Sequence, residues 1–187
     1  MQEISLNILD LAQNAVAAGA TLIEIEIDEQ PAADTLHIKI RDNGCGICEE
    51  ALNSVADPFY TTRTTRKVGL GLPLFKMAAE QTGGSFEIES AKDKGTTVQG
   101  VFGLTHIDRM PLGDMTSTMV TLVTCNPELD FVYLHRLGER SFDLDTRQMR
   151  KVLGNVSLAC SEVVAFMRDY LGDNELELIG GAANEKP

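Results

Sequence analysis

The chain has 187 residues, 43% hydrophobic and 24% charged, an ordinary balance for a soluble globular protein with one substantial core and room for an appended subdomain. A formal charge of −12 argues against nucleic acid as the main partner, because duplex binding needs a basic footprint. No apolar run approaches the ~18 residues of a membrane span, and the opening MQEISLNILDLAQN lacks the basic flank of a signal peptide, so the expectation is a cytoplasmic protein with no membrane partner.

The first element reads as a helix. Ser5 is the expected N-cap, Ile4 and Leu9 the hydrophobic staple around it, and Gly19 the stop. Leu6, Leu9 and Val16 mark an apolar side, while Asn7, Asp10 and Asn14 share another face at spacings of three and four. Two half-buried strands follow, LIEIEID and LHIKIRD, with a period of two and a short polar loop that predicts an antiparallel pair. A helix is expected from about Pro73 to Thr82, closed by Gly83 and Gly84, then two more alternating strands, SFEIES and GTTVQGVFGL.

After about Leu104 the pattern changes. THIDRMPLGD reads as a loop, MTSTMVTLVTC as a helix in preference to a buried strand, and DFVYLHR-LGER-SFDLD as a β-hairpin. TRQMRKVLG and SEVVAFMRDYLG read as two short helices, the second capped by Ser161, and the tail from Gly180 as disordered. One-faced strands with amphipathic helices imply an α/β two-layer sandwich: a mixed, mostly antiparallel sheet with helices on one face. The expected division is 1–104 for a first domain, 105–179 for a C-terminal extension and 180–187 for the tail. No internal repeat is visible.

Three short signals carry chemistry. Asp42-Asn43-Gly44-Cys45-Gly46-Ile47 closes the second strand with an acid and two glycines, which suits either a ligand-approaching loop or a plain turn. Gly69-Leu70-Gly71-Leu72 stands before a helix start, where free amides and the helix dipole favour an anion, although the same residues would serve a tight loop. Asp10 and Asn14 lie one helical turn apart, as a Mg²⁺-binding oxygen and a water-positioning carboxylate would, or as a solvated stripe would. Arg63, Arg66 and Lys67 form a basic cluster in an otherwise acidic chain, suited to a small anion. The G-x-x-x-x-G-K-[ST] phosphate loop is absent, and Glu49 stands where the third glycine of a dinucleotide fingerprint would fall.

Together, in order, the stretches LDLAQNAVAAGATLIEIEI, DNGCGI, DPFYTTR, VGLGLPLFKMAAEQTGG and GTTV resemble the N, G1, F, G2 and G3 boxes of the GHKL ATPases. These are the nucleotide-binding domains of gyrase, heat-shock chaperones, histidine kinases and MutL, with the Bergerat fold. The resemblance covers about Met1 to Leu104, and extends to small stand-alone histidine-kinase-like ATP-binding proteins of anaerobic bacteria. It implies ATP and Mg²⁺ as cofactors. By the resemblance, Asn14 ligates Mg²⁺, Asp42 accepts the adenine amino hydrogen, Gly44 and Gly46 admit the base, and Thr96 holds a water or hydroxyl contact beside Asp42. Phe59 to Lys67 would be a mobile lid with Thr62 and Arg63 near the phosphates, and Gly69, Leu70, Gly71 and Leu72 would line the triphosphate.

Two departures bear on activity. Asp10 stands where hydrolysing members carry Glu and histidine kinases usually Asn or His; it has roughly 1.5 Å less reach than Glu. Ala17 stands where a MutL-like aspartate would be. The chain begins 13 residues before Asn14, from which no upstream sensor or helical hairpin bearing a phospho-acceptor histidine is expected. His37, His106 and His135 lack the helical context of such an acceptor. The expected function is therefore an ATPase, or a kinase acting on an unidentified partner protein in a bacterial regulatory system. The alternative is an ATP-dependent binding switch, and a third reading is a redox- or metal-responsive protein. That last reading rests on Cys45 and Cys48, with Cys125 and Cys160 as further thiolates; ordinary reduced thiols are the leading expectation for all four.

Overall fold

The computed structural model describes residues 3–48 and 71–183. Helix α1 spans Ile4–Ala17, and strands β1 (Leu22–Gln30) and β2 (Thr35–Asp42) follow. Helix α2 (Gly71–Gln81) precedes β3 (Ser85–Ala91) and β4 (Gly95–Gly103). Helix α3 (Met115–Cys125), strands β5 (Asp130–Leu137) and β6 (Arg140–Asp145), and helices α4 (Thr146–Leu153) and α5 (Ser161–Ala183) complete the order. One sheet holds all six strands in the order β3-β4-β2-β1-β5-β6. Every neighbouring pair is antiparallel except β1 with β5. The sheet therefore continues across the expected boundary at Leu104.

The period of two explains how the sheet has one apolar face. Ile23, Ile25 and Ile27 of β1 are buried while Glu24, Glu26 and Asp28 are not. Register aligns the buried set into rows, of which Ile88–Val98–Ile40–Ile25–Tyr133–Leu144 is one. The next row contains Gly100 between Phe86 and Ile38. A Cβ at Gly100 would lie 2.7 Å from Phe75 Cε1. Glycine there makes the socket for the fully buried Phe75 of α2, whose ring meets Phe86 and Phe102 edge-on at centroid distances of 6.3 and 5.4 Å. On the opposite face the side chains are charged, with Arg41 paired to Glu24 at 3.7 Å and Arg136 paired to Glu26.

Helix α1 departs from expectation at its start. Its N-cap is Glu3, whose side chain makes no capping bond, and Ser5 is buried inside the first turn. The Ile4 and Ser5 amides donate instead to the carbonyls of Pro111 and Leu112, at 3.0 and 2.8 Å. A strap over a hundred residues away thus satisfies helix donors that local side chains usually serve. The apolar face is also rotated: Ile4, Ile8, Leu11, Ala12 and Ala15 face the core, Leu6 is half exposed, and Asn7 is buried rather than sharing the surface with Asp10. Gly19 does end the helix, with Gly19 N bonded to Val16 O and Ala20 N to Ala15 O.

Helix α5 is longer than the sequence suggests. It begins at Ser161, with the Val164 amide bonded to the Cys160 carbonyl, and runs 23 residues through Gly172 and Gly180 to Ala183. Burial of Val163, Met167, Leu171 and Leu178 along one side offsets the helix cost of the glycines. Its Glu175 reaches back into the sheet. There His135, fully buried, donates from Nδ1 to Glu175 (3.0 Å) and from Nε2 to Glu29 of β1 (3.1 Å), and the Tyr133 hydroxyl donates to Glu175 (2.7 Å).

Candidate functional site

The apolar face turns polar at one end of the sheet. Beyond the row Ile88–Val98–Ile40–Ile25, the next level reads Ser90–Thr96–Asp42–Ile23. Three polar side chains therefore stand, in phase with the core, where β2, β3 and β4 meet. Asp42 Oδ1 accepts the Gly44 amide at 2.8 Å. Burial pushes the Asp42 carboxyl above the usual range, opposed by the Gly44 and Thr96 amides that hold its charged form. A half-buried carboxylate with lone pairs to spare suits a neutral hydrogen-bond donor as ligand.

The loop after Asp42 is fixed from several sides. Asn43 Oδ1 accepts the amides of Thr21 (2.8 Å) and Leu22 (3.0 Å), and its Nδ2 donates to Thr21 Oγ1 (2.9 Å). The Cys45 amide bonds to Ala18 O at 2.9 Å and the Asp93 amide to Cys45 O at 2.7 Å. The Ile47 amide donates to Ser90 Oγ at 2.8 Å. Gly46 has φ +67°, and a Cβ there would lie 2.0 Å from Ala91 O, so a side chain is excluded by both conformation and space. A Cβ on Gly44 would lie 2.9 Å from Ala18 O. On their Cβ sides both glycines accommodate protein backbone.

The second half of the site is built by the helices. Asp10 and Asn14 are both exposed on α1. Gly71, the first residue of α2, packs against them: a Cβ there would stand 3.3 Å from Asp10 Cβ and 3.7 Å from Asn14 Nδ2. The N-terminus of α2 thus comes up to the Asp10–Asn14 turn, with no side chain of Gly71 standing between them. Leu72 is half-buried and packs against the core. Thr96 meets Ser90 Oγ through its hydroxyl at 2.9 Å. Phe59, Thr62, Arg63, Gly69 and Leu70 lie outside the described residues.

Two residues of this site were not singled out from sequence, Asn43 and Ser90. A signal for Ser90 was present: in SFEIES the inward positions are Phe86, Ile88 and then serine, a polar residue in core phase. The cysteines do not assemble. All four are free thiols, Cys45, Cys48 and Cys125 are exposed, and among the described residues no group of three or more His, Cys, Asp or Glu could hold a metal ion. Among the described residues no helix is long and apolar enough to cross a membrane.

A family model described as "Histidine kinase-, DNA gyrase B-, and HSP90-like ATPase" matches residues 1–106. The chain belongs to this ATPase family. Sensor protein SrrB of Staphylococcus aureus is 41% identical over 102 residues, a stretch that covers 52% of this chain and 17% of that protein. The chain therefore spans about a sixth of the curated relatives it matches. Among solved structures, the Aquifex aeolicus MutL ATPase domain complexed with ADP superposes with a TM-score of 0.51 at 17% identity, covering 82% of this chain and 69% of that one. The N-terminal domain of a DNA repair protein does so at 0.51 and 15%, covering 78% and 52%. These two share the fold. Their coverage exceeds what residues 1–106 alone supply, so the shared fold reaches into the second half of this ATPase-family chain.

Proposed function

We propose that this chain binds Mg-ATP between the polar end of the inner sheet face and helices α1 and α2, and acts as an ATPase or as a kinase that transfers phosphoryl to a partner protein in a bacterial regulatory system. The observation that carries this reading is the juxtaposition of two unlike half-sites within an ATPase-family chain. One is the Thr96–Asp42 row, able to take a base edge; the other is the Asp10–Asn14 turn faced by Gly71.

In this reading Asp42 accepts the adenine amino hydrogen, with Thr96 beside it, while Gly44, Gly46 and Ile47 shape the loop that borders the base. Asn14 supplies an oxygen for Mg²⁺, and Asp10 orients the attacking hydroxyl or water. Gly69, Leu70, Gly71 and Leu72 line the phosphates, with amides of the α2 start toward the anion. Phe59, Thr62 and Arg63 belong to the closing segment. When bound, Mg²⁺ neutralises charge on the phosphates. The donor set fits it, since an amide oxygen and a nearby carboxylate on one helical turn are hard oxygen ligands.

A partner as phospho-acceptor is favoured by the environment of His135, whose two ring nitrogens are both bonded to carboxylates inside the core. A second reading, a binding switch with incidental turnover, draws on the strap. Because the α1 amides are bonded to Pro111 and Leu112, a shift of α1 on nucleotide binding would be passed to the segment leading into α3. Calorimetric titration of Mg-ATP, with phosphate release on the same samples, tests both. Asp42→Asn should abolish binding, Asn14→Ala should remove the Mg²⁺ dependence, and Asp10→Asn should abolish release while binding persists. Tight binding without release by the unaltered chain would favour the switch, and no binding would defeat both readings.

A further inference from the structure

The six-stranded sheet ends in two unlike edges. At one, β6 is tied to α5: the Tyr170 hydroxyl donates to the Asp143 carbonyl at 2.8 Å, and Arg140 Nη1 reaches the Glu177 carbonyl at 3.5 Å. At the other, β3 runs seven residues without a proline, and no described strand pairs with its outer side. Backbone donors and acceptors along an open edge are a template for a further strand.

The side chains of β3 specify what such a strand must carry. On the inner face Phe86 and Ile88 pack against the core but stay half-buried, so the apolar rows of the sheet end there incompletely covered. On the outer face Glu87 and Glu89 are exposed and stand opposite the uncharged Gln99 and Thr97. Among the described residues neither carboxylate forms an ion pair. Successive side chains of a strand alternate between faces. A strand laid against β3 therefore meets apolar surface at every second residue and carboxylates at the residues between. A second copy of β3 does not suit this edge. Antiparallel registers centred on Glu87, Ile88 or Glu89 each set acid against acid, and like charges directly opposite are destabilising.

We propose that the outer edge of β3 is a docking site for an extended segment of a partner protein in which apolar residues alternate with lysine or arginine. Main-chain bonds supply the affinity and the alternation supplies the selectivity. The inner residues extend the rows that end at Phe86 and Ile88, and the basic residues pair with Glu87 and Glu89. The strand ends beside the 44–48 loop, because Ser90 Oγ accepts the Ile47 amide at 2.8 Å. Docking does not depend on the nucleotide reading, and it is measured without nucleotide.

The probe is an amidated peptide of the length of β3 that alternates lysine with isoleucine or valine, titrated into the isotope-labelled full chain by nuclear magnetic resonance. Saturable shifts should concentrate on the amides of residues 85–91. A matching peptide with glutamate in place of lysine should not bind, which tests the charge argument without altering the protein. Nor should a lysine peptide methylated at alternate backbone nitrogens, on the side that faces β3. The double variant Glu87→Lys, Glu89→Lys changes two exposed side chains; it should weaken the lysine peptide about tenfold and take up the glutamate peptide instead. Circular dichroism checks that it folds. Absence of binding, shifts centred elsewhere, or equal affinity for the two peptides would overturn the proposal and leave the acids as a guard against self-pairing. Sedimentation of the unaltered chain as a dimer that blocks the peptide would give the edge to a second copy and overturn it too.

Discussion

Replacing His135 with Gln should remove a pH-dependent part of the stability, and the size can be worked from its contacts. Burial alone would push the imidazolium down, but the bonds to Glu175 and Glu29 and their charges overcome it and lift the pKa from 6.5 to about 9. At about 1.4 kcal/mol per pKa unit, that rise corresponds to ~3 kcal/mol of stabilisation. The folded value lies above the unfolded one, so the contribution is complete below about pH 6.5 and is lost as pH rises through about 9. Tyr133 does not titrate in this window, because burial and Glu175 raise its pKa well above 10.0. Urea denaturation of wild type and His135→Gln between pH 6 and 10 checks this. The gap between the two should be widest at pH 6 and narrow through pH 7.5 to 9. A gap independent of pH, or one that closes near pH 6.5, would refute the assignment of a doubly bonded imidazolium between Glu29 and Glu175.

Gly46→Ala should destabilise the protein by about 1–3 kcal/mol, the scale of one strained backbone position, because its φ is +67° and its Cβ would meet Ala91 O at 2.0 Å; nucleotide affinity should fall with the melting temperature. Phe75→Ala empties the socket over Gly100 and should cost about 3–5 kcal/mol in urea denaturation. A loss below ~1 kcal/mol would mean that the site collapses freely.

The sheet was largely legible because its strands alternate cleanly. Ile23, Ile25 and Ile27 against Glu24, Glu26 and Asp28 leave one solution for which face is buried, and β2, β4 and the β5–β6 pair follow the same rule. The half-sites were legible through short motifs at fixed places along these elements. What escaped was set by tertiary partners. Nothing near Ser5 announces that Pro111 and Leu112 supply the acceptors for the first amides of α1. Glycines at 172 and 180 argue locally for a helix end, yet the buried side chains of α5 carry the helix past them. Asn43 looked like a turn residue, and its role in joining Thr21 and Leu22 to the loop depends on where α1 ends. His135 sits at a regular inward position of a strand, and only Glu29 and Glu175, 106 and 40 residues away, make it a charged one.

The parallel pairing of β1 with β5 sets a clock on biosynthesis. Leu22 lies opposite Asp130, so one edge of a central, isoleucine-rich strand has no partner until more than a hundred further residues have been translated. At roughly 5–20 residues per second, β1 and its hairpin partner wait for about five to twenty seconds with that edge open. An unpaired edge of this composition is a template for pairing with another chain. Conditions that slow elongation between codons 31 and 130 should therefore lower the soluble yield more than equal slowing after codon 137, where the strand is already covered.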